Sequence, residues 1–77
     1  MEYNWDKIDD AVLALLYLTS FKEHEWVRTW KGHDWDALDR LHKKGYISDP
    51  KSKAKSVVFS DEGFERSKKL FEDFFNV

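Results

Sequence analysis

The order of segments in the second half of the chain, from Asp34 to Phe75, constrains the fold more than any other feature. This half contains a short amphipathic stretch, a glycine, a hairpin pattern around a polar turn, and a second amphipathic stretch. These segments are residues 35–44, Gly45, 46–59 and 61–75. The apolar period changes from helical to alternating and back, which predicts a helix, a β-hairpin and a further helix in that order.

Cap residues support these boundaries. Asp34 and Ser60 each precede an amphipathic stretch, where a side-chain oxygen can accept a hydrogen bond from a free amide of the first turn. Gly45 stands where a left-handed residue would end the first of the two helices. In the first half, a broad apolar helix is predicted from Trp5 or Asp6 to about Thr19, with one of two polar residues as its cap. These two residues are Asn4 and Asp6.

The segment 21–31 is harder to interpret. Residues 26–30 read WVRTW, a short run of β-branched and aromatic residues that favours a single strand. A helix remains open, because Glu25, Arg28 and Thr29 also fit one helical face. The chain is therefore predicted to be α+β and mostly helical, with three helices, a wing hairpin and a third strand near Trp26–Trp30.

Composition indicates a single soluble domain spanning residues 1–77. Aromatic residues make up 17% of the chain, which lets a small core be built from few positions. There is no cysteine, which excludes disulfides and cysteine-based zinc sites and is typical of a reducing cytosol. The first residues lack a signal-peptide pattern, and the longest apolar run, 11–18, is far below the roughly 20 residues needed to span a bilayer. We expect a cytoplasmic protein with no membrane association.

No catalytic, metal or cofactor site is predicted. The three histidines, His24, His33 and His42, are spaced so that no single helix or strand face brings them together. The chain has no His-x-x-x-His motif, no nucleophile elbow and no glycine-rich phosphate loop. We therefore do not expect an enzyme.

Two short motifs carry a resemblance to a known class of domains. Residues 41–47 read LHKKGYI, and residues 57–63 read VVFSDEG. With these motifs, residues 34–70 resemble the winged helix-turn-helix domains of bacterial transcription regulators, particularly MarR- and PadR-like members. The whole chain also resembles a family of small uncharacterised bacterial proteins, which implies no activity. The winged-helix resemblance implies a basic wing, DNA binding, and dimerisation through the terminal helices.

The sequence departs from that pattern before the second helix. Winged domains place a supporting helix there, whereas residues 21–35 show strand-like patterning, so this helix is predicted to be shortened or missing. The second helix also begins with Asp34, Asp36 and Asp39, which would repel DNA phosphates.

Six basic side chains are the candidates for contacts with nucleic acid. They lie at the end of the second helix and in the wing: Arg40, Lys43, Lys44, Lys51, Lys53 and Lys55. Arg40 alone is placed to reach a guanine edge, and the lysines suit backbone phosphates. The alternative is that these lysines are solvated and protect the hairpin edge from aggregation.

A protein-interaction module that does not bind DNA is the alternative function. Its predicted surface consists of exposed aromatic residues, which often anchor interfaces: Trp26, Phe71, Phe74 and Phe75. The last helix carries three of them and is the candidate surface for a homodimer. Trp30 and Trp35 are instead predicted to lie in the core.

Overall fold

The computed structural model describes residues 2–77, which form three helices and a three-stranded antiparallel sheet. The elements in chain order are α1 (Trp5–Leu18), β1 (Ser20–Glu23), β2 (Trp26–Trp30), α2 (Trp35–Lys43), β3 (Ser56–Val58) and α3 (Asp61–Phe75). About half of the residues are helical, which confirms the predicted α+β class. Within residues 2–77, no helix combines the length and apolarity needed to cross a membrane.

The predicted caps are present at the start of all three helices. The side-chain oxygens of Asn4, Asp34 and Ser60 each accept a hydrogen bond of 3.0–3.1 Å from the amide three residues later. Each bond satisfies one of the amides that a helix leaves free at its first turn. Of the two caps considered for α1, Asn4 is the one used.

Gly45 ends α2 in the predicted left-handed conformation, with φ at 83°. The Gly45 amide donates to the His42 carbonyl at 2.9 Å, and the Tyr46 amide donates to the Leu41 carbonyl at 3.1 Å. This pair of bonds is the Schellman motif, which turns the chain sharply away from the helix axis. The turn delivers Tyr46 to the start of α3.

The segment 21–31 contains two strands rather than the one that the sequence predicted, and its helical alternative is wrong. β1 and β2 form a hairpin in which Glu23 pairs with Trp26 across a two-residue turn. His24 occupies that turn with φ at 56°. Within residues 2–77, no helix lies between α1 and α2, so the hairpin stands where a winged helix-turn-helix domain has its supporting helix.

The wing hairpin is shorter than predicted, because β3 pairs mainly with β2. The strand order is β1-β2-β3, with Thr29 opposite Val57. The 46–48 arm contributes only a bridge between Ile47 and Phe59, plus an amide hydrogen bond from Ser48 to the Val58 carbonyl of 2.8 Å. Residues 49–55 therefore form a loop that leaves the sheet and returns to it.

The core lies where α1, α2 and the inner face of the sheet meet. Its buried members are Leu13, Leu16, Leu38, Leu41, Ile47, Val57 and Phe59. Val57 and Phe59 are buried while Val58 is only partly covered, as the strand alternation predicts. The prediction that Trp30 and Trp35 lie in the core is wrong, because 52% and 67% of these side chains are exposed.

Candidate functional site

An ion cluster around a buried carboxylate joins α1 to α2. Asp9 is fully buried, and its two carboxylate oxygens lie 2.8 and 3.0 Å from Nε of Arg40. Nζ of Lys44 donates to Asp9 and to Asp6, at 3.2 Å in each case. The Arg40 guanidinium also lies 5.1 Å from the ring centre of Trp5, a cation–π distance. Arg40 of α2 and Lys44, which directly follows α2, are therefore both paired with carboxylates of α1.

The pKa shifts of Asp9 and Arg40 both favour the charged forms of these side chains. Burial raises the pKa of Asp9, but hydrogen bonds from Arg40 and Lys44 outweigh this effect and hold the pKa below its usual value. The hydrogen bond to Asp9 raises the pKa of Arg40. A buried carboxylate with these partners holds α1 and α2 in register.

The predicted nucleic-acid residues fall into two groups. Arg40 and Lys44 are paired with the buried Asp9, and Lys43 pairs on the surface with Asp39 at 3.1 Å. The three lysines of the wing lie apart from this group, on residues 49–55, a segment named here the lysine loop: Lys51, Lys53 and Lys55. All three are exposed, and none forms an ion pair within the part of the chain that the structure describes.

The main chain of the lysine loop is held in place by Lys31. Nζ of Lys31 donates to the carbonyls of Pro50 and Ser52 at 2.7 and 2.6 Å. The Lys31 amide donates to the Lys55 carbonyl at 3.3 Å. Pro50 is buried, so the loop backbone is anchored at the end of β2 while its lysine side chains face solvent.

The outer face of the sheet is aromatic and exposed. The register and the alternation of side chains place seven residues on this face, one of them acidic: Phe21, Glu23, Trp26, Arg28, Trp30, Ser56 and Val58. The rings of Phe21 and Trp30 lie 4.8 Å apart at an angle of 32°. Trp26 and Trp30 remain 60% and 52% exposed, so no part of residues 2–77 covers this face fully.

Charge is unevenly divided between this surface and the rest of the chain. Residues 20–31 and 49–58 together carry six basic and three acidic side chains, a net charge of +3. The remaining residues carry seven basic and twelve acidic side chains, a net charge of −5. The sheet and its loop therefore form the basic end of an acidic protein.

The predicted partner residues of α3 lie at its C-terminal end. Phe71 packs against Tyr17 of α1, with ring centres 5.3 Å apart, whereas Phe74 and Phe75 are 42% and 51% exposed. A shallow groove of about 300 Å³ runs between Phe71 and Phe75. Trp26 lies instead on β2, next to the turn of the β1–β2 hairpin.

Four residues, three on the outer sheet face and the anchor of the lysine loop, were not predicted from the sequence as site residues: Phe21, Arg28, Trp30 and Lys31. Residues 20–23 read SFKE and contain a single apolar residue, and the turn that follows lacks the Asn-Gly or Asp-Gly pair that marks a hairpin. The anchoring role of Lys31 depends on contacts 19 and 21 positions away, which no local pattern shows. Within residues 2–77, no group of three or more His, Cys, Asp or Glu side chains is placed to hold a metal ion.

Known proteins similar to this chain are themselves uncharacterised. The chain is 55% identical over 75 residues to the uncharacterized protein y4hR of Sinorhizobium fredii (strain NBRC 101917 / NGR234), and the match covers 97% of each chain. No solved structure matches the chain. A family model described as a domain of unknown function, DUF6429, matches residues 4–77. The chain therefore belongs to the DUF6429 family.

Proposed function

We propose that this protein binds nucleic acid through its lysine loop, as a small winged-helix-like regulator or accessory factor. The observation that supports this function is the anchored display of Lys51, Lys53 and Lys55 on the basic end of the molecule. Lysine ammonium groups bind backbone phosphates as point charges, and this term supplies most sequence-independent affinity. A main chain fixed by Lys31 reduces the entropy that binding would otherwise cost.

The order of elements and their charges favour contact with nucleic acid through the lysine loop, as a wing, rather than base recognition by α2. From α2 through the lysine loop and β3 to α3, the elements follow the order of a winged domain's second half. The start of α2 is acidic, and Arg40 and Lys44 are bonded to Asp9. The proposal therefore assigns affinity to the loop and assigns no base reading to α2, so binding is expected to be weak and largely independent of sequence.

A titration with labelled DNA at low and moderate salt tests this function. The wild-type protein is expected to bind more weakly as salt rises, because bound cations release counterions from DNA. The variant Lys51→Glu with Lys53→Glu is expected to lose binding at all salt concentrations. A matched control is Lys68→Glu with Lys69→Glu, the same charge change at two exposed residues of α3. Absence of wild-type binding at low salt, or equal losses in the two variants, would contradict the proposal.

A homodimer is the second candidate function, and it is favoured by an exposed apolar surface. Leu15 and Leu18 of α1 are 38% and 65% exposed, and the packing of Phe71 on Tyr17 brings the ends of α1 and α3 together. Phe74 and Phe75 at the C-terminal end of α3 are 42% and 51% exposed, and a second copy of the chain would cover these apolar side chains symmetrically.

Sedimentation equilibrium tests the dimer separately from nucleic-acid binding. The wild-type chain is expected to self-associate, and Leu18→Lys with Phe75→Lys is expected to be monomeric, because each partner would then bury a charge without a counterion. A wild-type monomer at high protein concentration would exclude a stable dimer through this surface.

A further inference from the structure

We infer that the outer face of the sheet binds single-stranded nucleic acid, with bases stacked on Trp30 and Phe21 while the lysine loop contacts phosphates. This inference rests on the proposed function and specifies its ligand. It assigns a role to the aromatic face, which phosphate binding by the loop alone does not use.

The aromatic pair and the lysine loop lie at the same end of the sheet. Trp30 is the last residue of β2 and pairs with Ser56, the first residue of β3. Lys31 follows Trp30 directly, and its amide donates to the carbonyl of Lys55, the last residue of the loop. A nucleic-acid strand that crosses the outer face at the Trp30 ring therefore reaches the lysine loop within one or two residues of Trp30.

The exposure of Trp30 points to a ligand with flat faces. Its ring stacks on Phe21 on one side, yet 52% of the side chain remains exposed. Large aromatic side chains are normally buried in a small domain, and an exposed group of them marks a binding surface. An aromatic ring on a sheet is the usual platform for an unpaired base, because every base presents a π face.

Charge selects nucleic acid over an apolar protein partner for this face. The surrounding segments, 20–31 and 49–58, carry a net charge of +3 in a chain whose total is −2. Arg28 lies on the same face, where its Nε and a terminal nitrogen donate to Ser56 at 2.8 and 3.2 Å. These bonds fix the guanidinium plane beside the aromatic pair, so an additional cation is held in place for a phosphate or a base edge.

A single strand fits this arrangement better than a duplex does. Bases in a duplex are already stacked on one another and expose only their edges in the grooves. A single strand can place its bases on the sheet and its phosphates at the loop, which uses both features at once. The stacking of bases on the aromatic pair is therefore expected to add to the affinity for a single strand and not to the affinity for a duplex.

Two fluorescein-labelled DNAs test the inference: a single-stranded thymidine 15-mer and a mixed-sequence duplex of the same length. Trp30→Ala is expected to weaken single-strand binding roughly tenfold, the scale of one lost base–aromatic stack. It is expected to leave duplex binding and the salt dependence unchanged, whereas Lys51→Glu with Lys53→Glu lowers affinity for both ligands. Trp30→Phe keeps an aromatic face and is expected to restore most of the single-strand affinity.

Tyr3→Ala is the matched control, because Tyr3 is also an exposed aromatic residue (57%) but precedes α1 and does not lie on the sheet. Urea unfolding of each variant verifies that it is folded. Wild-type affinity of Trp30→Ala for the single strand, or equal losses for both ligands, would overturn the stacking inference and leave binding by the loop intact. If the wild-type protein binds neither DNA, the proposed function fails as well as the stacking inference.

Discussion

Asp9 of α1 accepts hydrogen bonds from Nε of Arg40 of α2 through both of its carboxylate oxygens, at 2.8 and 3.0 Å. The carboxylate is fully buried, and Lys44 supplies a further donor. Because the two partners are 31 positions apart, this pair joins helices that the chain itself connects only through the β1–β2 hairpin. The pair therefore stabilises the fold, and it also neutralises the charge of Arg40.

Arg40→Ala is expected to destabilise the protein by about 3 kcal/mol, because it leaves a buried carboxylate with only Lys44 as a charged partner. The free energy of unfolding in urea measures this effect. Lys43→Ala removes the exposed pair with Asp39 and is expected to change stability by less than about 1 kcal/mol. Similar losses of unfolding free energy in the two variants would show that the Asp9–Arg40 pair stabilises the protein no more than the exposed Lys43–Asp39 pair does.

Asp9 is expected to make stability depend on acid pH. Its folded-state pKa lies below its ordinary value, because hydrogen bonds from Arg40 and Lys44 outweigh the effect of burial. Its contribution is therefore fully present above the unfolded-state pKa of about 3.9 and is lost as the pH falls through the folded-state value. Asp9→Asn lacks this contribution, so the stability difference between wild type and variant should shrink below about pH 4. A constant difference from pH 7 to pH 2.5 would contradict the assignment.

Gly63→Ala is expected to destabilise the protein by about 1–3 kcal/mol, although alanine favours helices. A β-carbon at Gly63 would overlap the backbone of Tyr46, which cannot move freely because the Schellman turn and Ser60 hold it. Gly32→Ala is the control, since a β-carbon there meets nothing within 4 Å. Thermal unfolding compares the two variants, and a Gly63→Ala protein as stable as Gly32→Ala would show that α3 can shift away from Tyr46.

Lys31→Met is expected to release the main chain of the lysine loop. The substitution keeps an apolar stem but removes the donor that bonds to the carbonyls of Pro50 and Ser52. Trypsin should then cut after Lys51 and Lys53 several-fold faster, because local opening controls cleavage of a folded protein. Lys22→Met, an exposed lysine of β1, is the control. Unchanged cleavage of the loop would mean that Pro50, which is buried, is sufficient to hold it.

Local signals predicted the helices well and the sheet less well. The caps at Asp34 and Ser60, and the left-handed Gly45, depend on bonds between residues three or four apart, so the sequence around them suffices. β1 was missed because its turn places His24 at positive φ, a position where glycine or asparagine is usual. The pairing of β3 with β2 joins residues almost thirty apart and leaves no local pattern.

The candidate site shows the same division between local and long-range information. The lysines of the loop are visible in the sequence because a basic turn between strands is a local feature. Arg40 and Lys44 look equally available in the sequence, yet Asp9 of α1 binds both. Trp30 and Trp35 were assigned to the core on the general tendency of tryptophan to be buried, but six aliphatic residues and Phe59 fill the core of this protein.

The hydrogen bonds between Ser48 and Val58 have a consequence for how the chain tolerates change in length. They close residues 49–57 into a ring, and residues 49–55 of that ring form the lysine loop outside the sheet. Doubling the length of such a segment costs only about 0.6 kcal/mol in closure entropy, far less than an insertion within α1 or β2 would cost. The lysine loop can therefore change in length while the core that supports it stays the same.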